Sequence, residues 1–275
     1  MRKSGLSPFI ASCMLLGFTF LYAPIVMLII FSFNASRLVT VWAGFSTKWY
    51  VALMSDDQVL GAAYLSFKIA IANGFLSVIV GTMAAFALVR FGRFFGRSIM
   101  IQSISSRLVL PDVILGLSIL LLFVSLQGLI GWPERRGVMT IIIAHVTFSS
   151  AYVAIVVQSR LAGLDRSYEE AAFDLGAGPL TVFRTVTLPM IAPSLVAGWL
   201  LSFILSFDDL VIASFASGPS ATTLPMVIFS KVRLGINPEI NALATIIVVA
   251  VAVGVVLAGT LLQKQVDSRL GGAQA

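Results

Sequence analysis

An all-α membrane protein with six transmembrane helices is what this 275-residue sequence predicts, and three features predict it. Hydrophobic residues make up 59% of the chain and charged residues 11%, against about 25% charged in soluble domains. Lipid must therefore be the solvent for most of it. The apolar residues gather in runs of about twenty or more, long enough for a helix to cross hydrocarbon. Arginines and lysines cluster at the ends of those runs, where they can stay in water.

Residues 9–33 form the first run, and Pro24 within it is tolerated where neighbouring helices satisfy the freed carbonyl. The single cysteine, Cys13, excludes an internal disulfide and a cysteine-built metal site. Too few and too polar residues precede it for a cleaved signal peptide, so the run reads as an uncleaved anchor with Arg2 and Lys3 in the cytoplasm. Over 34–57 the chain leaves the hydrocarbon, and Trp42, Phe45, Trp49 and Tyr50 suit an interfacial aromatic belt. A second span, 61–89, ends in an inside turn marked by Arg90, Arg93 and Arg97.

The third run, 98–126, is interrupted by Arg107, Pro111 and Asp112, so part of it must face protein or a wet cavity. Asp112 follows a proline and is expected to cap the helix that begins there. After a short outer loop at 128–136, the fourth span, 138–157, carries His145 and Tyr152. The fifth is expected over 193–215, with Trp199, Asp208 and Asp209 inside it. Ser217-Gly218-Pro219 turns the chain, 222–233 reads as a short helix over the outer mouth, and Pro238-Glu239 opens the last span, 240–262. On this arrangement Arg2, Lys3, Arg90, Arg93, Arg97, Arg160, Arg166, Arg184, Lys264 and Arg269 lie inside with both termini. Arg37, Lys48, Lys68, Arg135, Arg136, Lys231 and Arg233 lie outside, a modest bias of the expected sign.

Between the fourth and fifth spans lies a polar interval, 160–193. Ser167 followed by Glu170 reads as a capping box opening a short helix through Asp174, and Gly176 supplies a left-handed stop. Pro179 can start a second helix at its first position. Leu188-Pro189 and Pro193 are expected to end the polar segment, because the residue before a proline is pushed out of helical geometry. Two short helices at an angle make a rigid knob.

That knob resembles the EAA loop of ATP-binding-cassette importer permeases. Glu170-Ala171-Ala172, Gly176 and Leu188-Pro189 stand at the loop's spacings, with Val186 in the place usually held by isoleucine. The resemblance implies a type I importer permease fold and a loop that docks on a cytoplasmic ATPase through Glu169, Glu170, Ala171, Ala172, Asp174, Gly176, Leu188 and Pro189. It divides the chain into a first helix plus periplasmic segment (1–60), a transmembrane core with the coupling loop at 160–190 (61–263), and a cytoplasmic tail (264–275).

Other chemistry is missing. No glycine-rich phosphate-binding run occurs, so ATP is not hydrolysed by this chain. One histidine leaves no metal cluster or catalytic triad to assemble, and His145 reads as a buried or cavity-facing hydrogen-bonding residue. The net charge of +6 is scattered at span ends rather than gathered on one face, which argues against nucleic acid.

The intramembrane acids carry the remaining signal. An aspartate at mid-bilayer costs about 2.5–3.5 kcal/mol on insertion scales, so Asp208 and Asp209 should face protein or water. Neighbouring helical residues point about 100° apart, so both cannot face one pore equally. One is read as lining a cation path; the bland alternative pairs one with Lys231 or Arg233. Tyr152 and Trp199 can stack on an alkyl or ammonium group.

Further stretches, LVLPDVILGLS, SFDDLVIASFASGPSATTLPM and NPEINALAT among them, are similar to the permease subunits of bacterial polyamine importers, most of all the C-type permease of the putrescine importer. A spermidine-preferring relative is the near alternative, and an ion-coupled carrier using Asp208, Asp209 and His145 the remote one. The resemblance implies an inner-membrane heterodimer with a homologous permease, two ATPase subunits that hold ATP and Mg, and a periplasmic polyamine-binding protein. The substrate path would include Asp112, Tyr152, Trp199, Asp208 and Asp209. Arg107 departs from that pattern, since a positive charge facing the cavity would repel a polyamine.

Overall fold

The structure, a computed structural model, describes residues 7–38, 41–235 and 238–253. Five of its helices are long and apolar enough to cross a membrane, and a shorter apolar helix, Pro238–Val253, follows them. The chain divides into two compact units, Met1–Leu60 with Ile228–Ala275, and Gly61–Val227.

In the first unit, α1 (Pro8–Ser32) keeps its helix through Pro24 and buries none of its apolar window. The turn that follows is organised by Asn34. Its side chain donates to Val41 O at 2.7 Å and accepts from Ala43 N at 2.9 Å, while its carbonyl takes the Trp49 indole N–H at 2.7 Å. Trp49, on α2 (Lys48–Met54), is therefore 8% exposed, and Tyr50 bonds Ser32. Only Trp42 and Phe45 of the expected aromatic belt are outward-facing, because the other two found polar partners inside the turn. Lys231 is held by Asp56 and, at 3.3 Å, by Glu239, so the alternative that gave Lys231 to an intramembrane acid yields to this triad. The proposed tail, 264–275, the end of the last span, Arg2 and Lys3 lie outside the described residues.

The second unit is built around α6 (Val138–Ala162), whose apolar window is 56% buried against 11% for α5. Against it lie α3 (Asp57–Arg90), α4 (Arg97–Ser106), α9 (Leu188–Phe207) and α10 (Val211–Ala216), with α10 also on α5 (Asp112–Ile130). Close approach is set by small residues, as in membrane helix pairs generally. A Cβ on Gly81 of α3 would stand 2.6 Å from Val153 Cβ and 2.7 Å from Ser150 O, so only glycine lets these backbones meet.

Polar groups tie the helices where hydrocarbon offers no alternative partner. Asn73 on α3 donates to Ser149 Oγ on α6 at 3.1 Å and to Ser202 O on α9 at 2.8 Å, and accepts from Ser77. Further along, Thr140 Oγ1 donates to Ala216 O at 2.7 Å, and Ser66 Oγ accepts from Leu224 N, the start of α11 (Leu224–Leu234), at 2.8 Å.

Two expectations are corrected here. The fifth span is not continuous over 193–215: α9 stops at Phe207 and α10 starts at Val211, because the Asp209 carboxylate takes the backbone N–H of Ala213 at 2.6 Å and of Ile212 at 3.4 Å and restarts the helix. Nor do the prolines end the polar segment. Pro179 opens α8 (Pro179–Val182) as expected, but a π-helical turn, Phe183–Thr187, then passes directly into α9 with Leu188 helical. Its i→i+5 bonding, Leu188 N to Phe183 O, absorbs the donor that Pro189 lacks, a use of the π-bulge that keeps one helix running.

Candidate functional site

Two places in the second unit gather polar chemistry, and the knob is the first. Helix α7 (Ser167–Asp174) ends with Gly176 at φ 83°, the left-handed stop the sequence predicted, and Gly178 precedes the proline of α8. The capping box does not form. Ser167 is already helical and gives its N–H to Asp165 Oδ1 at 3.0 Å, while the N–H groups of Glu169 and Glu170 both go to Arg166 O. Asp165 thus takes over the role expected of Ser167, and this hydrogen bond holds its carboxyl below the ordinary value.

Of the two glutamates, only Glu169 turns inward. Its Oε1 lies 3.1 Å from Arg90 Nη2 at the end of α3 and accepts from Thr187 Oγ1 at 2.7 Å, with side-chain exposures of 16% for Glu169 and 9% for Arg90. Arg166 Nη2 donates to Val89 O at 3.1 Å and Arg97 Nη2 to Leu88 O at 3.5 Å, which satisfies carbonyls that the C-terminus of α3 leaves without intrahelical partners. Arg160 Nε similarly reaches Met190 O. The knob is therefore fastened to α3 and α9, and Glu170, Ala171, Asp174, Leu175 and Gly176 remain exposed on its free surface.

The second place is the acid-bearing interior. His145 is fully buried; its Nδ1 lies 2.7 Å from Ser206 Oγ and its Nε2 3.2 Å from Asp209 Oδ2, the latter off-line for a hydrogen bond. Asp209, 10% exposed, is thus engaged by α10 backbone amides and faces a histidine, whereas Asp208 is exposed. The two acids diverge at the break between α9 and α10 rather than along one helix, with Asp209 turned inward and Asp208 outward. Asp112 is the first residue of α5 and makes no side-chain cap; its Oδ1 pairs at 2.9 Å with Arg107 Nη1. Capping is displaced by a nearby guanidinium. Arg107 in turn lies over the rings of Phe148 at 4.7 Å and Tyr152 at 5.7 Å.

Trp199 is apart from these groups. It stacks on Phe203, itself stacked on Phe207, and meets Phe75 edge-on. A groove of about 820 Å³ along α3, α8 and α9, lined by Val78, Met83, Phe86, Phe183 and Leu188 among others, contains no carboxylate and offers nothing to a cation. Among the described residues no group of three or more metal-ligating side chains occurs. Sequence reasoning missed Arg107 as a paired residue, Phe148, and the inward Glu169. The signals were there: an arginine in an apolar run, aromatics at i and i+4 on α6, and a threonine in the turn before Leu188-Pro189.

With that geometry in place, comparisons with known proteins are informative. The family of binding-protein-dependent transport system inner membrane components matches residues 77–272. The putrescine transport system permease protein PotI of Escherichia coli strain K12 is 58% identical over 264 residues, 96% of this chain and 94% of that one. The spermidine/putrescine transport system permease protein PotC of Haemophilus influenzae is 41% identical over 251 residues, 91% and 95% of the two chains. Among solved structures, a bacterial ABC transporter involved in the import of the acidic polysaccharide alginate gives a TM-score of 0.66 at 18% identity over 93% of this chain and 95% of that one. The MetNI methionine ABC transporter gives 0.58 at 17% identity over 74% and 94%. At such identities these two speak for the fold alone.

Proposed function

The chain belongs to the family of binding-protein-dependent transport system inner membrane components, and from that premise we propose that it is the permease subunit of an ATP-driven importer that moves putrescine across the inner membrane by alternating access. The observation that carries the reading is the fastened knob. An exposed surface containing Glu170, Ala171 and Gly176 is joined through Glu169, Arg90 and Thr187 to two membrane-crossing helices. A force applied there is passed to α3 and α9 rather than absorbed in a loop.

The partners are a homologous permease, two cytoplasmic ATPase subunits that carry ATP and Mg, and a periplasmic polyamine-binding protein. Closure of the ATPases carries the paired knobs together, and the helices behind them rock between inward-open and outward-open arrangements. Driving such an equilibrium from about 1:99 to 99:1 needs about 5.5 kcal/mol of differential binding, supplied jointly by nucleotide and binding protein. Glu169 positions the knob, while Glu170, Asp174 and the backbone at Gly176 meet the ATPase.

Putrescine is the substrate reading because the putrescine relative is 58% identical over nearly the whole chain. A divalent alkyl ammonium cannot cross hydrocarbon unaided, and a cavity with a few carboxylates offers it charge compensation without trapping it. Asp208 and Asp112 are the accessible acids for that role; Tyr152 contributes a ring face, Trp199 an apolar wall and Asp209 the fixed end of the helix break. The second reading, a spermidine-preferring permease, is favoured by the 41% identity to a spermidine/putrescine relative. Uptake into proteoliposomes containing the full complex decides between them. ATP-dependent putrescine accumulation that excess spermidine inhibits only weakly is expected; stronger competition by spermidine, or uptake driven by a proton gradient without ATP, overturns it.

A further inference from the structure

Arg107 is a positive charge that interrupts the third apolar run, and its surroundings are two aromatic faces and a carboxylate. The guanidinium carbon lies 4.7 Å from the Phe148 ring centre and 5.7 Å from that of Tyr152, two faces one helical turn apart on α6. Its Nη1 lies 2.9 Å from Asp112 Oδ1. Two aromatic faces and a carboxylate are the elements from which proteins build sites for alkyl ammonium groups.

The fit to a guanidinium is incomplete. Arg107 Nε is buried without a hydrogen-bond partner, so one of its five donors is wasted in a setting where an unmet donor is costly. A primary ammonium has no such group: its compact charge needs only the carboxylate and the ring faces. The approach is also open on one side, since the Asp112 side chain is 54% exposed while that of Arg107 is 11% exposed. Arg107 follows the last residue of α4, and the stretch to Pro111 is not α-helical, so its side chain can swing aside without breaking a helix.

We propose that Phe148, Tyr152 and Asp112 form an alkyl-ammonium subsite on the transport path that Arg107 occupies as a resident competitor, displaced by one end of the cargo; this rests on the polyamine reading above. With Arg107 in place the subsite is neutral and its grip on a dication is weak. With Arg107 displaced the Asp112 carboxylate is left to pair with the incoming ammonium. The returning guanidinium then ejects the cargo, so that binding is strong enough to accept an amine and never strong enough to keep it. The positive charge that the sequence set against a polyamine path becomes the device that keeps the path from saturating.

The test uses the assembled transporter in its wild-type form first. Phenylglyoxal labelling of Arg107, read by mass spectrometry, is expected to rise at least threefold when putrescine is added, because the displaced guanidinium becomes reachable; labelling that is unchanged or falls overturns the proposal. In parallel, Arg107→Met keeps the apolar stem and removes the charge. It is expected to bind labelled putrescine at least tenfold more tightly in the complex without binding protein, and to turn over more slowly at saturation. Arg107→Met with Asp112→Asn returns the affinity to the wild-type range, and adding Tyr152→Leu, but not Tyr152→Phe, weakens it. Equal affinity in wild type and Arg107→Met overturns the subsite. If Arg107→Met fails to assemble, the wild-type labelling decides alone. Wild-type vesicles that take up no putrescine at all overturn the substrate reading itself, a failure distinguishable from a transporter that works while Arg107 stays put.

Discussion

The knob between α6 and α9 and the polar seam inside the bundle contain the same kinds of residue and put them to opposite uses. In the seam, Asn73 and Thr140 donate to a neighbouring helix, and Ser66 and Asp209 accept from the backbone N–H groups that start one. In the knob only Glu169 and the arginines at its base look inward, and Glu170 and Asp174 are left to water. The seam is finished by its own chain, whereas the knob is finished on one side only. On the proposed reading, the knob is the surface another subunit grips and the seam is what lets the helices behind it move as one body.

The contrast is broken most severely at Glu169. Glu169→Ala leaves Arg90, 9% exposed, and Thr187 without their shared acceptor, and losing hydrogen bonds to a charged group costs about 1.5–3 kcal/mol. The purified protein should unfold at a clearly lower temperature and transport nothing. Glu170→Ala, one residue away and exposed, should leave the melting temperature within the range of surface substitutions, about ±0.5 kcal/mol, yet reduce ATPase co-purification. Equal destabilisation by the two would erase the distinction drawn here.

Asn73→Ala attacks the seam. Ser149 Oγ and Ser202 O lose their common donor, and a buried polar group left unmet costs about 1–3 kcal/mol. Lower thermal stability with the ATPases still bound is the expected outcome; loss of ATPase binding would place coupling in the seam as well. Gly176→Val is a smaller perturbation with a larger functional readout. Nothing lies within 4 Å of a Cβ there, but φ is 83°, and a side chain in that conformation costs about 1–2 kcal/mol. The permease should remain in the membrane while uptake and ATPase co-purification fail.

The smallest effect lies in the other unit, at Asp56. The hydrogen bond from Lys231 holds the Asp56 carboxyl below its ordinary value against the opposing pull of burial. Burial likewise works against charge on Lys231, yet Asp56 and Glu239 lift it above its ordinary value. The carboxylate's share of stability is thus complete above the ordinary carboxylate range near pH 4 and disappears as pH falls through the depressed value; the lysine's is complete below about pH 10 and is lost only above it. Asp56→Asn should cost about 1 kcal/mol or less between pH 5 and 9, a difference from wild type that thermal melts should show shrinking below pH 4. A difference that persists at pH 3 would mean the triad acts by packing and not by charge.

Much of this architecture was legible because membrane helices announce themselves by length and hydropathy. The second and fourth spans and the knob's two short helices lie where the sequence put them, with Gly176 left-handed and Pro179 first in its helix. The misreadings share one cause. Ser167, Asp112 and Pro189 were each read by what their residue type does locally, and each was overruled by a neighbour at hydrogen-bonding distance: Asp165, Arg107 and the π-turn carbonyl of Phe183. Asp209 went the other way, using its own side chain to break a helix that hydropathy ran straight through.

The sequence by itself determined that lipid surrounds this chain, roughly where it enters and leaves, and that one polar interval folds into short helices around a left-handed glycine. Those properties follow from transfer free energies and turn chemistry, which depend on residues near one another in the chain. Which glutamate faces inward, which aspartate stays reachable, and that Arg107 rests on Phe148 and Tyr152 beside Asp112 were decided only by the tertiary structure. Charge pairing and ring contact act over a few ångströms in space, and the groups concerned are separated by tens of residues along the chain.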